Sequence, residues 1–177
     1  SLQPLDDQGQ ALQLMRSWFV GMPGETVSCA GCHEPQNEVS LNKASRAARR
    51  APTAITPWHG PARGFSFVRE VQPVLDKYCV SCHAGAPAAR PSFQGGQMLT
   101  NWSTQLAGHW SGGGQFTTAY FELQRFVRRP GIEGDRRMFT PMDYHFNTTE
   151  LGQILRKGHH GVALDAEAWE RLAAWTD

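Results

Sequence analysis

Five stretches with apolar residues at helical spacing, no stretch with convincing period-two alternation, and cysteines confined to two Cys-x-x-Cys pairs predict a mainly α chain with long loops. The first helical signal runs through Ala11, Leu14, Met15 and Trp18, with Asp7 and Gln10 reading as a capping box and Gly21 as a stop. The second puts Phe67, Val71, Val74, Leu75 and Tyr78 on one face and runs straight into Cys79; its Pro73 must sit in a first turn or kink the helix. A third carries Ala119, Tyr120, Leu123, Phe126 and Val127 and ends at Pro130-Gly131. Asn147 and Glu150 read as a capping box ahead of Leu151, Ile154 and Leu155, with Gly158 as the stop. The last helix starts at Asp165 and is expected to bury Trp169, Leu172 and Ala173.

Between the first two helices, Ala44 to Gly64 is rich in Ala, Arg and Pro and reads as a connector, so a soft boundary is expected there. Residues 1–58 would form a first unit with its connector and residues 59–177 a second, the two making one compact domain overall. Ala84 to Gly114, with its glycine runs, reads as loop.

The chain has 177 residues, 40% of them hydrophobic, which suits a folded globule. Its 17 Lys and Arg face 16 Asp and Glu, so charge gives no footprint for nucleic acid. No run of about 18 apolar residues is present, so no membrane span is expected. The start at Ser1 and the stop at Asp177, right after a periodic segment, lead us to expect a processed chain or a module of a longer polypeptide.

All four cysteines lie in Cys29-Ala30-Gly31-Cys32-His33 and Cys79-Val80-Ser81-Cys82-His83. A c-type haem is held by thioether bonds from two cysteines while the adjacent histidine supplies an imidazole nitrogen to the iron, and Cys-x-x-Cys-His is the signature of that attachment. A four-sulfur zinc site is disfavoured because 46 residues separate Cys32 from Cys79, well beyond the roughly 15 to 20 of paired zinc knuckles. A thioredoxin-like pair would need a βαβ setting that the pattern lacks. With 7 His in the chain, a histidine after both pairs by chance is about a one-in-six-hundred event, which decides for two covalently bound haem c groups. The cofactor-binding residues are then Cys29, Cys32, Cys79 and Cys82, with His33 and His83 as proximal iron ligands. The fold class becomes a dihaem cytochrome c: two cytochrome-c-like haem-binding units packed together with long loops.

The group opposite each proximal histidine decides function, since a second histidine gives a low-potential carrier, methionine raises the potential and a vacant position permits catalysis. His159 and His160 sit in a short turn after the Gly158 stop, and one of them, His159 before His160, is the favoured distal ligand. His145 is the other candidate, and the one histidine in view for the first haem. His59 is expected to pack the connector and His109 to line a haem edge, while Met142 is the methionine to test first.

The stretch Gly64 to Tyr78 leading into Cys79, the Leu155-Arg156-Lys157-Gly158-His159-His160-Gly161 turn and the Glu167 to Leu172 helix resemble the C-terminal dihaem cytochrome c region of hydrazine synthase α-subunit-like proteins. The resemblance runs from Leu5 onward. It implies a bis-histidine second haem whose distal ligand lies far downstream, which maps onto the His159-His160 turn. It also implies larger upstream domains, so the module would relay single electrons to or from an upstream domain or a redox partner protein rather than act as an enzyme on its own. The alternative is a hydrazine-synthase-like haem enzyme whose first haem has an open coordination site for a small nitrogen or oxygen species. Thioether attachment is completed outside the bacterial cytoplasm, so a periplasmic or other extracytoplasmic location is expected.

Overall fold

A computed structural model describes residues 3–13, 20–27, 49–85, 90–96, 98–100, 115–127, 142–143 and 145–177. The first motif, from Cys29 to His33, lies outside these residues, as do His109, Tyr144 and most of the first expected helix. The chain divides into two units, one of Ser17–Arg63 with Ser1 and the other of Leu2–Arg16 with Gly64–Asp177.

The expected break between residues 58 and 59 thus falls at Arg63–Gly64, and the N-terminal segment joins the C-terminal unit. Its reason is a set of backbone ties invisible to periodicity. The Asp177 carboxylate accepts from the Ala11 N–H at 2.9 Å, and the Leu12 carbonyl accepts from the Met142 N–H at 2.9 Å. Locally, Asp6 rather than Asp7 organises the turn: its carboxylate accepts from the Gln8 and Gln10 amides at 2.9 and 2.8 Å, the short-range bonding that suits Asp to turns.

In the smaller unit, a turn closes at Met22–Glu25, where the Met22 N–H donates to the Glu25 carboxylate and the Glu25 N–H to the Met22 carbonyl. Further on, Arg63 donates to the Pro61 carbonyl and lies 5.8 Å over the Trp58 ring, whose edge meets His59 at 4.8 Å. His59 therefore packs on its neighbour in the connector.

The larger unit is built from short helices. Phe67–Val71 forms one wide turn in which the Gln72 N–H reaches back to the Phe67 carbonyl, and helix α1, Gln72–Tyr78, follows with Pro73 in its first turn. Proline has no N–H to give and its ring crowds the carbonyl four residues back, so a wide turn before an α-helix accommodates it where a continuous α-helix would not. Helix α2, Val80–His83, is a single turn. Strand β1, Met98–Thr100, pairs antiparallel with β2, Gln115–Thr117, in the register Met98–Thr117, Leu99–Phe116 and Thr100–Gln115. Strand β1 lies where loop was expected and β2 just past that stretch; strands of three residues are too short to print an alternating pattern.

Helix α3, Thr118–Gln124, is capped by Thr117, whose side chain accepts from the Tyr120 N–H at 3.1 Å. Helix α4, Glu150–Lys157, is capped by Thr149 rather than Asn147, which lies in a tight turn at Phe146–Thr148. Gly158 stops α4 at φ 89°, a left-handed conformation cheap only for glycine. Helix α5, Ala166–Thr176, starts on Asp165, whose carboxylate accepts from the Ala168 N–H at 2.8 Å.

The core of this unit joins Val71, Val74 and Leu75 to Leu123, Phe146, Leu172, Ala173 and Trp175. Fully burying each large apolar side chain contributes about 1.5–3 kcal/mol. Phe67, Tyr120 and Trp175 meet edge to face at 5.2, 5.4 and 5.9 Å, fixing the wide turn against α3 and α5. Trp175, rather than the half-buried Trp169, is the tryptophan that α5 buries. No helix among the described residues is long and apolar enough to cross a membrane.

Candidate functional site

Cys79, Cys82 and His83 follow one another around a single helical turn. The Cys79 N–H donates to the Leu75 carbonyl at 2.8 Å, and the Cys82 and His83 amides both donate to the Cys79 carbonyl, at 3.1 and 3.0 Å. Spacings of three and four residues bring all three side chains to one face. Both cysteines are free thiols, Cys79 half-buried and Cys82 exposed. Burial, and then the neighbouring Cys82, push the Cys79 thiol up to about 11.

That face opens on a cavity of about 590 Å³, within the size range of cofactor pockets. Phe93, Phe126, Leu151, Ile154, Leu155 and Val162 supply its apolar wall. His83 is held in place from behind. Its Nδ1 lies 3.0 Å from the Pro91 carbonyl, the His83 carbonyl accepts from the Phe93 N–H at 2.9 Å, and the Phe93 ring packs 4.8 Å away. A carbonyl cannot donate, so Nδ1 is the donor in this contact, and of the two neutral tautomers it selects the one with its lone pair on Nε2.

The turn between α4 and α5 brings His159 to the same cavity. Gly158, His160 and Gly161 all have positive φ, and the Val162 N–H donates to the His159 carbonyl at 2.9 Å, so the reversal is tight. The His159 ring centre sits 6.1 Å from that of His83, with the planes 27° apart, and 4.7 Å from His160. Burial first, then the nearby His160 and His83 imidazoles, lower the His159 pKa and so favour its neutral, ligating form. His160 also lines the cavity but is exposed.

A clasp of three polar side chains closes the motif's own helix against α5. Asp165 accepts from Lys77 Nζ at 2.9 Å and from the Tyr78 hydroxyl at 2.7 Å while it caps α5. The Ala168 N–H, then Lys77 and Tyr78, hold the Asp165 carboxyl well below the usual carboxylate range, and hydrogen bonding to Tyr78 and then Asp165 raises Lys77.

Of the other candidates, His145 is 2% exposed, and neither of its ring nitrogens has a hydrogen-bond partner among the described residues. It does not line the cavity, nor does Met142, which is half-buried with φ 68°. Cys29, Cys32 and His33 lie outside the described residues. Among the described residues no group of three or more His, Cys, Asp and Glu side chains gathers as a free metal-ion site would require. The Pro91 carbonyl and the Phe93 ring were not legible as site groups, because their relation to His83 exists only once the loop after α2 folds back.

Together these features define a class of site: a Cys-x-x-Cys-His turn facing a histidine-bearing turn across an apolar cavity. The other end of the chain gives the family likeness. Residues 1–34, which include the first Cys-x-x-Cys-His motif, match the hydrazine synthase alpha subunit middle domain. This supports a hydrazine-synthase-alpha-like affinity, through the middle domain rather than the C-terminal dihaem region that the resemblance pointed to. No curated protein and no solved structure matches the chain.

Proposed function

We propose that this chain is a dihaem c-type cytochrome module that relays single electrons, with one haem in the cavity of the larger unit. Cys79 and Cys82 would hold that haem by thioether bonds, and His83 and His159 would supply imidazole nitrogens to its iron. The observation carrying this reading is the 6.1 Å between the His83 and His159 ring centres beside two free thiols. Metal–imidazole bonds of about 2 Å, plus roughly 1 Å from each ligating nitrogen to its ring centre, give about 6 Å for two imidazoles on one metal.

The residues present also fit the group in kind. The cavity wall is apolar, as a porphyrin face requires, and the Pro91 carbonyl fixes the His83 tautomer that leaves Nε2 for iron. A haem c bound here supplies a one-electron iron couple. The chain's own part is to hold both imidazoles in place, through the Gly158–Gly161 reversal on one side and the Pro91 contact on the other. With two imidazoles supplied by the chain, the iron would be closed to substrate, and what would pass is an electron to or from a partner protein or a neighbouring domain of a longer polypeptide. The same attachment chemistry argues for a periplasmic or equivalent compartment.

A second reading is favoured by the match of residues 1–34 to a hydrazine synthase domain: an open coordination site at the first haem, acting on a small nitrogen or oxygen species. Electron paramagnetic resonance of the oxidised, haem-loaded protein separates the two. Low-spin signals from both irons support the relay, and one high-spin iron that binds carbon monoxide on reduction supports the enzyme. His159→Ala should turn one low-spin iron high-spin while His160→Ala leaves it unchanged. A purified protein without thioether-linked haem, or an unchanged His159→Ala spectrum, refutes the proposed site.

A further inference from the structure

Gln72, the first residue of α1, is 7% exposed and lines no part of the cavity, yet its side-chain amide reaches the loop that steadies His83. Its Nε2 donates at 2.9 Å to the Phe93 carbonyl and at 2.8 Å to the exposed Asp76 carboxylate, so both amide hydrogens are used. Its Oε1 is buried with no hydrogen-bond partner among the described residues. A buried oxygen without a partner is costly, and methionine would fill the same space without that cost. What glutamine brings here is its pair of N–H donors.

The loop is shaped to receive that amide. A Cβ on Gly95 would stand 2.8 Å from Gln72 Cδ and 3.1 Å from its Nε2, closer than packed atoms come. Gly95 is not among the glycines with positive φ, so the close approach of Gln72 is what this glycine serves. Phe93 is then held at three points. Its carbonyl accepts from Gln72, its N–H donates to the His83 carbonyl at 2.9 Å, and its ring packs 4.8 Å from the His83 ring. Pro91, whose carbonyl faces His83 Nδ1 at 3.0 Å, lies two residues upstream on the same segment. The helix that leads into Cys79 thus also anchors the segment that receives the His83 proton.

We infer that Gln72 is a positioning residue for the His83 imidazole: acting through Phe93, it keeps the Pro91 carbonyl against Nδ1 and so sets the orientation and basicity of the ring. The inference rests on the haem reading of the cavity. A hydrogen bond given by the far nitrogen makes an imidazole a stronger donor to a metal, and stronger donation favours the oxidised ion. Loosening the Gln72 tie therefore raises the potential of the haem in this cavity.

The test uses the haem-loaded full chain. A pyridine haemochrome assay on the wild type first counts thioether-linked haem; its absence overturns the parent reading and this inference falls with it. Gln72→Met keeps the side-chain length and removes both donors, while Gly95→Ala pushes the amide away from the loop side. Each should shift one haem potential upward in a spectroelectrochemical titration, leave the other in place and speed solvent exchange of the Phe93 amide. Leu172→Ala thins the core without touching these hydrogen bonds, so it should lower the urea midpoint and leave both potentials where they are. Unchanged potentials in Gln72→Met and Gly95→Ala, or an equal shift in Leu172→Ala, overturn the inference while leaving the haem reading intact. Should neither of the first two variants fold, the through-bond coupling between the Gln72 side-chain nitrogen and the Phe93 carbonyl carbon in the reduced wild type decides: its presence supports the inference, and its absence overturns it.

Discussion

Glu70 is 1% exposed and carries a charge into the core of the larger unit, so its partners should govern how firmly the segment leading to Cys79 is held. One carboxylate oxygen pairs with Arg171 on α5, a side chain 16% exposed, and the other with Arg69 at 2.9 Å, a side chain 54% exposed. Burial works against the Arg171 charge, but hydrogen bonds to Glu167 and Glu70 outweigh it and raise its pKa. The two partners are therefore unequal. Removing Arg171 takes from a buried carboxylate the more buried of these two partners, which should cost about 3–5 kcal/mol, whereas removing the largely exposed Arg69 should cost clearly less. Glu70→Gln keeps the shape and loses the charge-assisted part of the hydrogen bonds to Arg69 and Arg171, placing it between these at about 1.5–3 kcal/mol. Urea unfolding at neutral pH reads the midpoint, with a constant slope as the condition for interpreting it as stability. Since the carboxylate and guanidinium share one interaction, Glu70→Ala with Arg171→Ala should cost clearly less than the two singles added. Equal effects of Arg69→Ala and Arg171→Ala, or strict additivity in the double variant, would refute the argument.

Two further outcomes follow from the same unit. A Cβ on Gly152 would run into the Phe146 carbonyl, so Gly152→Ala should destabilise by about 1–3 kcal/mol in urea unfolding, against the small gain that Ala normally gives inside a helix; a stabilised variant would show that α4 can shift away. Asp165 has a folded-state pKa below its unfolded value, so its contribution is complete above the ordinary carboxylate pKa of about 4 and is lost as pH falls through and below it. Asp165→Asn keeps a competent cap, so the difference in urea midpoint between it and the wild type should shrink from pH 6 to pH 3, and a difference independent of pH would exclude this clasp as the source.

What the sequence by itself determined was local. The helix leading to Cys79, the Asp165 cap and the Gly158 stop all follow from side-chain chemistry acting within a turn or two. So does the placement of Cys79, Cys82 and His83 on one face, because their spacing is helical. Signals of this range slipped where nearby residues competed for one role, as with Thr149 over Asn147 and Asp6 over Asp7. Tertiary structure alone decided the rest. That Leu2–Arg16 belongs with the C-terminal unit depends on Asp177 reaching the Ala11 N–H across 166 positions of sequence. The 6.1 Å between His83 and His159 and the bare nitrogens of His145 are likewise products of packing between distant segments. A sequence shows which side chains can bind, and only the fold shows which of them are brought together.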